Sequence, residues 1–169
     1  MSVITAEKNT FLKTTPENEN FNQYWYSEAT LSAMVNEIVE QECTSVACIA
    51  CPSLFFTLKQ QQPDLFAKSV LLDIDTQWNK EQGYIEYDYR KPLQLSPNYQ
   101  HSFDCVVIDP PFITRDAWEL FAEAGNLLLK DGGLMLCSSI AENESMLNEL
   151  VHVHSVQFKP SIPHLIYQV

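Results

Sequence analysis

The sequence predicts an α/β fold: a mostly parallel, seven-stranded sheet with helices on both faces and an antiparallel pair at its C-terminal edge. Three observations predict it. Short apolar runs suited to buried strands alternate with helical patterns for most of the length, which calls for a parallel sheet. Cys105-Val106-Val107-Ile108 is continuous and apolar, as in a strand covered on both faces. The last two expected strands, within 153–169, are divided only by Lys159-Pro160-Ser161-Ile162-Pro163, with no helix between them, so they pair antiparallel.

The elements follow in order. Residues 1–20 are polar and aperiodic and are expected to form a flexible lead, with 21–169 a single domain. An aromatic cluster, Phe21-Asn22-Gln23-Tyr24-Trp25-Tyr26, precedes Ser27, a good N-cap for a helix to about Glu42 with Leu31, Met34, Val35, Ile38 and Val39 on one face. The cluster either covers the core or lines a pocket, and both readings stay open. Ser45 to Ala50 is a buried strand, then Leu54 to Gln61 a helix. Val70 to Asp75 and Gly83 to Tyr87 are the next strands, both leading into acidic residues. After Cys105–Ile108 come a helix from Thr114 to Leu129, a turn at Lys130-Asp131-Gly132-Gly133, a strand from Leu134 to Ser139 and a helix from Glu142 to Val151.

Size and charge narrow the function. A chain of 169 residues with 46% hydrophobic and 19% charged residues suits one globular domain. The net charge of −12 argues against a surface built to neutralise phosphates and favours a basic protein partner over nucleic acid. The first residues carry no apolar run of the secretory type, and no stretch is long and apolar enough to span a membrane, so a cytoplasmic protein is expected. The 5 cysteines, an odd number, do not make a complete disulfide framework.

The chemistry concentrates at one expected sheet edge. Asp109-Pro110-Pro111-Phe112 cannot continue the strand before it, because two prolines remove two ladder donors. A carboxylate, free carbonyls and an aromatic ring therefore collect at the strand's carboxyl end, where open α/β sheets bind ligands. These groups suit an amino group: oxygens accept its N–H bonds and Phe112 offers an apolar wall. Taken alone, the motif could equally be a strand stop with Asp109 as a helix cap. Asp73 and Asp75 end one neighbouring strand and Asp88 the next; acids placed so can bind ribose hydroxyls and an adenine amino group, and together they favour a nucleoside site. Cys48-Ile49-Ala50-Cys51 has metal or redox spacing, but residues three apart on a strand point to opposite faces, and no histidine spacing completes a metal site. Neither a phosphate loop nor a serine elbow is present.

With Asp109-Pro110-Pro111-Phe112 after a buried fourth strand, the chain resembles Rossmann-like class I methyltransferases that modify amino groups. More narrowly, it is similar to the family of probable N6-adenine methyltransferases, now associated with lysine methylation of elongation factor 1-alpha (the eEF1A lysine methyltransferase 1 family). The resemblance rests on Gln23-Tyr24-Trp25-Tyr26-Ser27, Ala50-Cys51-Pro52-Ser53-Leu54, Asp109-Pro110-Pro111-Phe112 and Phe158-Lys159-Pro160, in that order. It implies S-adenosyl-L-methionine as cofactor, with Tyr24, Trp25, Tyr26, Ser27 and Thr30 closing over it. Ala50, Cys51, Pro52 and Ser53 would replace the usual glycine-rich loop. Asp73 or Asp75 would hold the ribose, Asp88 and Tyr89 the adenine, and Asp109, Pro110, Pro111 and Phe112 would face the methyl acceptor. The implied acceptor is a lysine of a protein, a translation elongation factor with a basic surface. Adenine N6 in RNA or DNA, and a non-catalytic cofactor-binding subunit, are the alternatives. One departure stands out: the second strand ends Asp73-Ile74-Asp75-Thr76-Gln77, without the aromatic and basic residues of the family pattern.

Overall fold

A computed structural model describes residues 8–91 and 95–163. Five strands form one sheet in the order β3-β2-β1-β4-β5: β1 (Val46–Ile49), β2 (Val70–Asp73), β3 (Tyr84–Glu86), β4 (Phe103–Ile108) and β5 (Leu129–Cys137). Every pairing is parallel, from Cys48 opposite Leu71 and Val107 to Val106 opposite Met135. This is the Rossmann-like doubly wound order, with its switch point between β1 and β4.

Period-two alternation sends each strand's side chains to two cores. Val46, Cys48, Leu71, Cys105 and Val107 meet one set of helices, α2 (Glu28–Glu40) and α3 (Pro52–Gln61). Ala47, Ile49, Leu72, Val106 and Ile108 meet α5 (Arg115–Leu128) and α6 (Glu144–Val151). The short α4 (Pro63–Phe66) leads into β2. Ser27 caps α2 through a 3.2 Å bond from the Thr30 N–H, and Thr114 caps α5. On α2 the buried stripe is Leu31, Val35 and Ile38, while Val39 is exposed at 44%. No helix among the described residues is long and apolar enough to cross a membrane.

Three expectations need correction. The flexible lead assigned to residues 1–20 is not what residues 8–20 form. Helix α1 (Thr10–Thr14) buries Phe11, which stacks on Phe56 at 5.0 Å and meets Trp25 edge-on at 5.0 Å. Its single turn is too short to show helical periodicity, and tertiary contacts order it: the aromatic surface that Phe11 covers, and Asn9, whose Nδ2 donates to Thr57 Oγ1 at 2.8 Å. Residues 1–7 lie outside the described residues. The antiparallel pair is also not seen: residues 153–163 contain no strand, His152 is the left-handed cap of α6, and 164–169 lie outside the described residues. Five strands, not seven, are therefore formed among the described residues.

The Lys130–Gly133 turn is the third. It is absorbed into β5 as a bulge between the pairs Phe103–Leu129 and Cys105–Leu134. Gly132 sits at φ 74°, and a Cβ on Gly133 would come within 2.9 Å of the Asp104 carbonyl, so the glycines permit the bulge. Asp104 meets the Lys130 ammonium there and accepts the Thr44 N–H at 2.6 Å.

Because Phe11 belongs to the core, Phe11→Ala is expected to destabilise the protein by about 3 kcal/mol, within the range for a large-to-small core change. Urea denaturation measures this. A midpoint equal to wild type would return residues 8–15 to a loose lead.

Candidate active site

Backbone ladder bonds lock the carboxyl ends of the strands together. The Ala50 N–H donates to Leu72 O at 2.8 Å and the Tyr87 N–H to Asp73 O at 3.0 Å. Across the switch point the Asp109 N–H donates to Ile49 O at 3.2 Å, and the Ser138 N–H to Ile108 O at 3.2 Å. Ladder bonding ends where the prolines begin, and the polar residues that follow surround a cleft of about 330 Å³. That volume lies at the lower end of ordinary small-ligand pockets.

The cleft gathers Tyr24, Trp25, Ala50, Asp73, Asp88, Tyr89, Asp109, Pro110, Pro111 and Phe112 from the expected set. Tyr26, Ser27, Thr30, Cys51, Pro52, Ser53 and Asp75 are not on its wall. Ser27 and Thr30 tie helix α2 to Ser161, whose N–H donates to Thr30 Oγ1 at 2.9 Å. Cys51, Pro52 and Ser53 are buried in the first turn of α3. Asp75 caps a 3-10 turn through the Gln77 N–H at 3.0 Å and accepts from Gln23 Nε2 at 3.3 Å. The aromatic cluster divides. Trp25 and Tyr26 are core residues, although Trp25 also shows an edge to the cleft, and Asn20 to Tyr24 line it.

Several lining residues lay outside the sequence reading. Ile74, 38% exposed between two acids, puts an apolar side chain at the rim. Tyr87, Arg90, Phe121 and Ile162 also line the cleft. An apolar residue placed where a strand has already ended was the available signal for Ile74. Phe121 had none, because its helix pattern reads as core.

Three carboxylates see different environments. Asp73 is buried, and loss of water pushes it up to about 7, against the opposing bond from the Asp75 N–H at 2.8 Å. Burial likewise pushes Asp109 up to about 6, while Ser138 Oγ, donating at 2.8 Å, and Tyr26 pull it down. Asp88 goes the other way: the Arg90 guanidinium grips it at 2.8 and 3.0 Å and holds it down to about 2. Asn22 Nδ2 donates to the Pro111 carbonyl, tying the N-terminal segment to the Asp109–Phe112 loop.

Ala50 turns the chain from β1 into α3 at φ 54°, a left-handed conformation that glycine ordinarily supplies. The turn from β1 into α3 is thus made without a glycine. Cys48 and Cys51 are free and buried, their thiols pushed up by burial, and no group of His, Cys, Asp or Glu among the described residues is arranged for a metal.

A family model described as "Probable N6-adenine methyltransferase" matches residues 17–169. The chain belongs to that family. It is 31% identical over 138 residues to EEF1A lysine methyltransferase 1 of Gallus gallus, covering 79% of this chain and 64% of that protein. The Danio rerio protein of the same name is 30% identical over 149 residues, covering 85% of this chain and 89% of its own. Protein-lysine N-methyltransferase EFM5 of Saccharomyces cerevisiae is 28% identical over 112 residues, covering 62% and 45%. The chain thus spans 64% of the length of the chicken and cattle relatives. In this family member, Gln23 to Trp25, Ala50 and Asp109 to Phe112 meet at one cleft from three parts of the chain.

A carboxyl raised in the fold binds its proton more tightly folded than unfolded. Asp73 therefore costs stability that appears as pH rises from the ordinary carboxylate range to about 7. Asp73→Asn keeps the bond from Asp75 N and removes that cost. The variant is expected to be more stable than wild type at pH 8 by on the order of 1 kcal/mol, and no more stable at pH 4. Thermal melts of ligand-free protein at both pH values check it.

Proposed function

We propose that the chain is an S-adenosylmethionine-dependent N-methyltransferase acting on a protein lysine, with translation elongation factor 1-alpha or an equivalent as acceptor and the cytoplasm as its place of action. The observation that carries this reading is the juxtaposition of the Asp109–Phe112 loop with Asp73 and Asp88 on one cleft. The lysine methyltransferase names of the relatives support the acceptor class, and the net charge of −12 suits a basic protein surface.

The residues present fit the cofactor. A buried carboxylate at the end of β2 calls for hydroxyl donors, and Asp73, rather than Asp75, lines the cleft to receive a ribose. Arg90 occupies both lone pairs of Asp88 Oδ1 and one of Oδ2, and the other on Oδ2 can accept an adenine amino N–H beside Tyr89 and Ile74. Tyr24, Trp25 and Ala50 complete the wall. Tyr26, Ser27, Thr30, Cys51, Pro52 and Ser53 act by holding these segments in place. When bound, the cofactor supplies a sulfonium methyl group open to displacement by a nitrogen lone pair.

The protein's own share is positioning, which can be worth several kcal/mol. The Asp109 carboxylate and the carbonyls of the loop accept N–H bonds from the amine and aim its lone pair. Phe112, 50% exposed at the rim, walls the alkyl stem of the acceptor. A lysine must arrive neutral, and loss of water among aromatic rings lowers its pKa. As the N–C bond forms, positive charge grows on nitrogen beside Asp109, and the displaced proton passes to water. A base could also stack on the exposed Phe112, which keeps adenine N6 as the second reading.

Labelled methyl from S-adenosylmethionine, supplied to a lysate with the protein, is expected to enter protease-sensitive, nuclease-resistant material. Label lost to nuclease instead would favour adenine. Asp109→Ala is expected to slow transfer by about a hundredfold or more, as for loss of a charged positioning group, with calorimetric cofactor affinity within about threefold of wild type. Full activity in that variant would remove the loop from the mechanism.

A further inference from the structure

We infer that Tyr26 and Ser138 form a hydroxyl relay that positions the Asp109 carboxylate for the methyl acceptor. The inference deepens the function proposed above and rests on it, but it concerns two residues off the cleft wall. Three distant parts of the chain meet here: the residue before the cap of α2, the end of β4 and the residue after β5.

The direction of the relay follows from proton counting. An ionised carboxylate only accepts, so Ser138 must spend its single proton on Asp109 Oδ1, at 2.8 Å. Ser138 Oγ then has only lone pairs for Tyr26, so the close contact between the two hydroxyls is filled by the Tyr26 proton. Tyr26 is 1% exposed, and a buried phenol needs such a partner. The chain Tyr26 to Ser138 to Asp109 is therefore polarised toward the carboxylate, and each bond strengthens the next. With Oδ1 engaged, the carboxylate cannot swing and still has lone pairs for the amine.

The relay also keeps the carboxylate charged. Burial pushes Asp109 up to about 6, and both hydroxyls oppose that push. The other groups facing it are the Tyr26 phenol and the Cys51 thiol at the start of α3; both are pushed well up by burial and by Asp109 itself, so both stay neutral near neutrality. Asp73 also titrates near neutral pH, but it affects cofactor binding, so rates are compared at saturating cofactor.

The test compares kcat of wild type, Ser138→Ala, Ser138→Thr and Tyr26→Phe from about pH 6 to about 9, at saturating cofactor and acceptor. A second readout, carboxyl-carbon NMR of Asp109, needs no turnover. Ser138→Ala is expected to be about tenfold slower at pH 8, the usual effect of one lost bond to a charge. The deficit widens as pH falls, because losing a donor raises the Asp109 titration and protonates it earlier. The NMR midpoint moves upward in step. Tyr26→Phe shifts both readouts the same way by less, Ser138→Thr restores both, and the double variant loses less than the sum of the singles. Dividing each rate by wild type cancels the acceptor's own ionisation. A deficit that is the same at every pH, with an unmoved carboxyl titration, would reduce the two hydroxyls to packing and overturn the relay. If wild type transfers no methyl group at all, the proposed function fails, and the NMR titration alone then decides whether Tyr26 and Ser138 govern Asp109.

Discussion

The ladder bonds at the carboxyl ends of β1, β2 and β4 are the constraint on which the rest of the structure depends. They join Ile49 to Asp109, Leu72 to Ala50 and Asp73 to Tyr87 through backbone groups alone. Backbone pairing has little tolerance for a register slip, because a one-residue shift would carry each side chain from its own core into the opposite one. In β1 and β2 both faces are buried, so a slip would mismatch the close packing of two cores at once. The strand ends are therefore fixed relative to one another, and residues far apart in sequence meet at a single cleft.

What collects there is energetically unfavourable to the free protein. Asp73 and Asp109 are carboxylates deprived of water, and Ala50 adopts a conformation that costs an L-residue about 1 kcal/mol or more. Such local costs persist where the surrounding packing overdetermines the geometry. The two cores on either side of the sheet supply that packing. Asp88 shows the contrast: at the rim, with Arg90 beside it, it carries its charge readily.

The N-terminal segment links these two regimes. Phe11 anchors it among Trp25, Phe56 and Trp78, and Trp25 Nε1 donates to the Thr15 carbonyl at 2.9 Å. A few residues on, Asn22 reaches the Pro111 carbonyl at the cleft. One wall of the site is thus held by an aromatic cluster and not by the sheet. Disturbing that cluster and disturbing the site are consequently connected events.

Much of this was legible in the residues. The β-branched and apolar runs named the five strands, Ser27 and Thr114 marked helix starts, and Asp109-Pro110-Pro111-Phe112 marked the sheet edge that opens onto the cleft, because propensity, capping and proline chemistry are local. The role of Phe11 was not legible, since one helical turn has no periodicity and its order comes from rings 14, 45 and 67 positions away in sequence (Trp25, Phe56 and Trp78). Nor was the placement of Asp73 and Asp75: both stand where the same strand ends, and only the fold turns Asp75 toward Gln23 and Gln77 and leaves Asp73 on the cleft. Sequence alone determined which chemical groups this protein brings to the carboxyl edge of its sheet. Tertiary structure decided which of them face the cleft and which are held behind it, because that depends on hydrogen bonds and burial between segments the sequence leaves far apart.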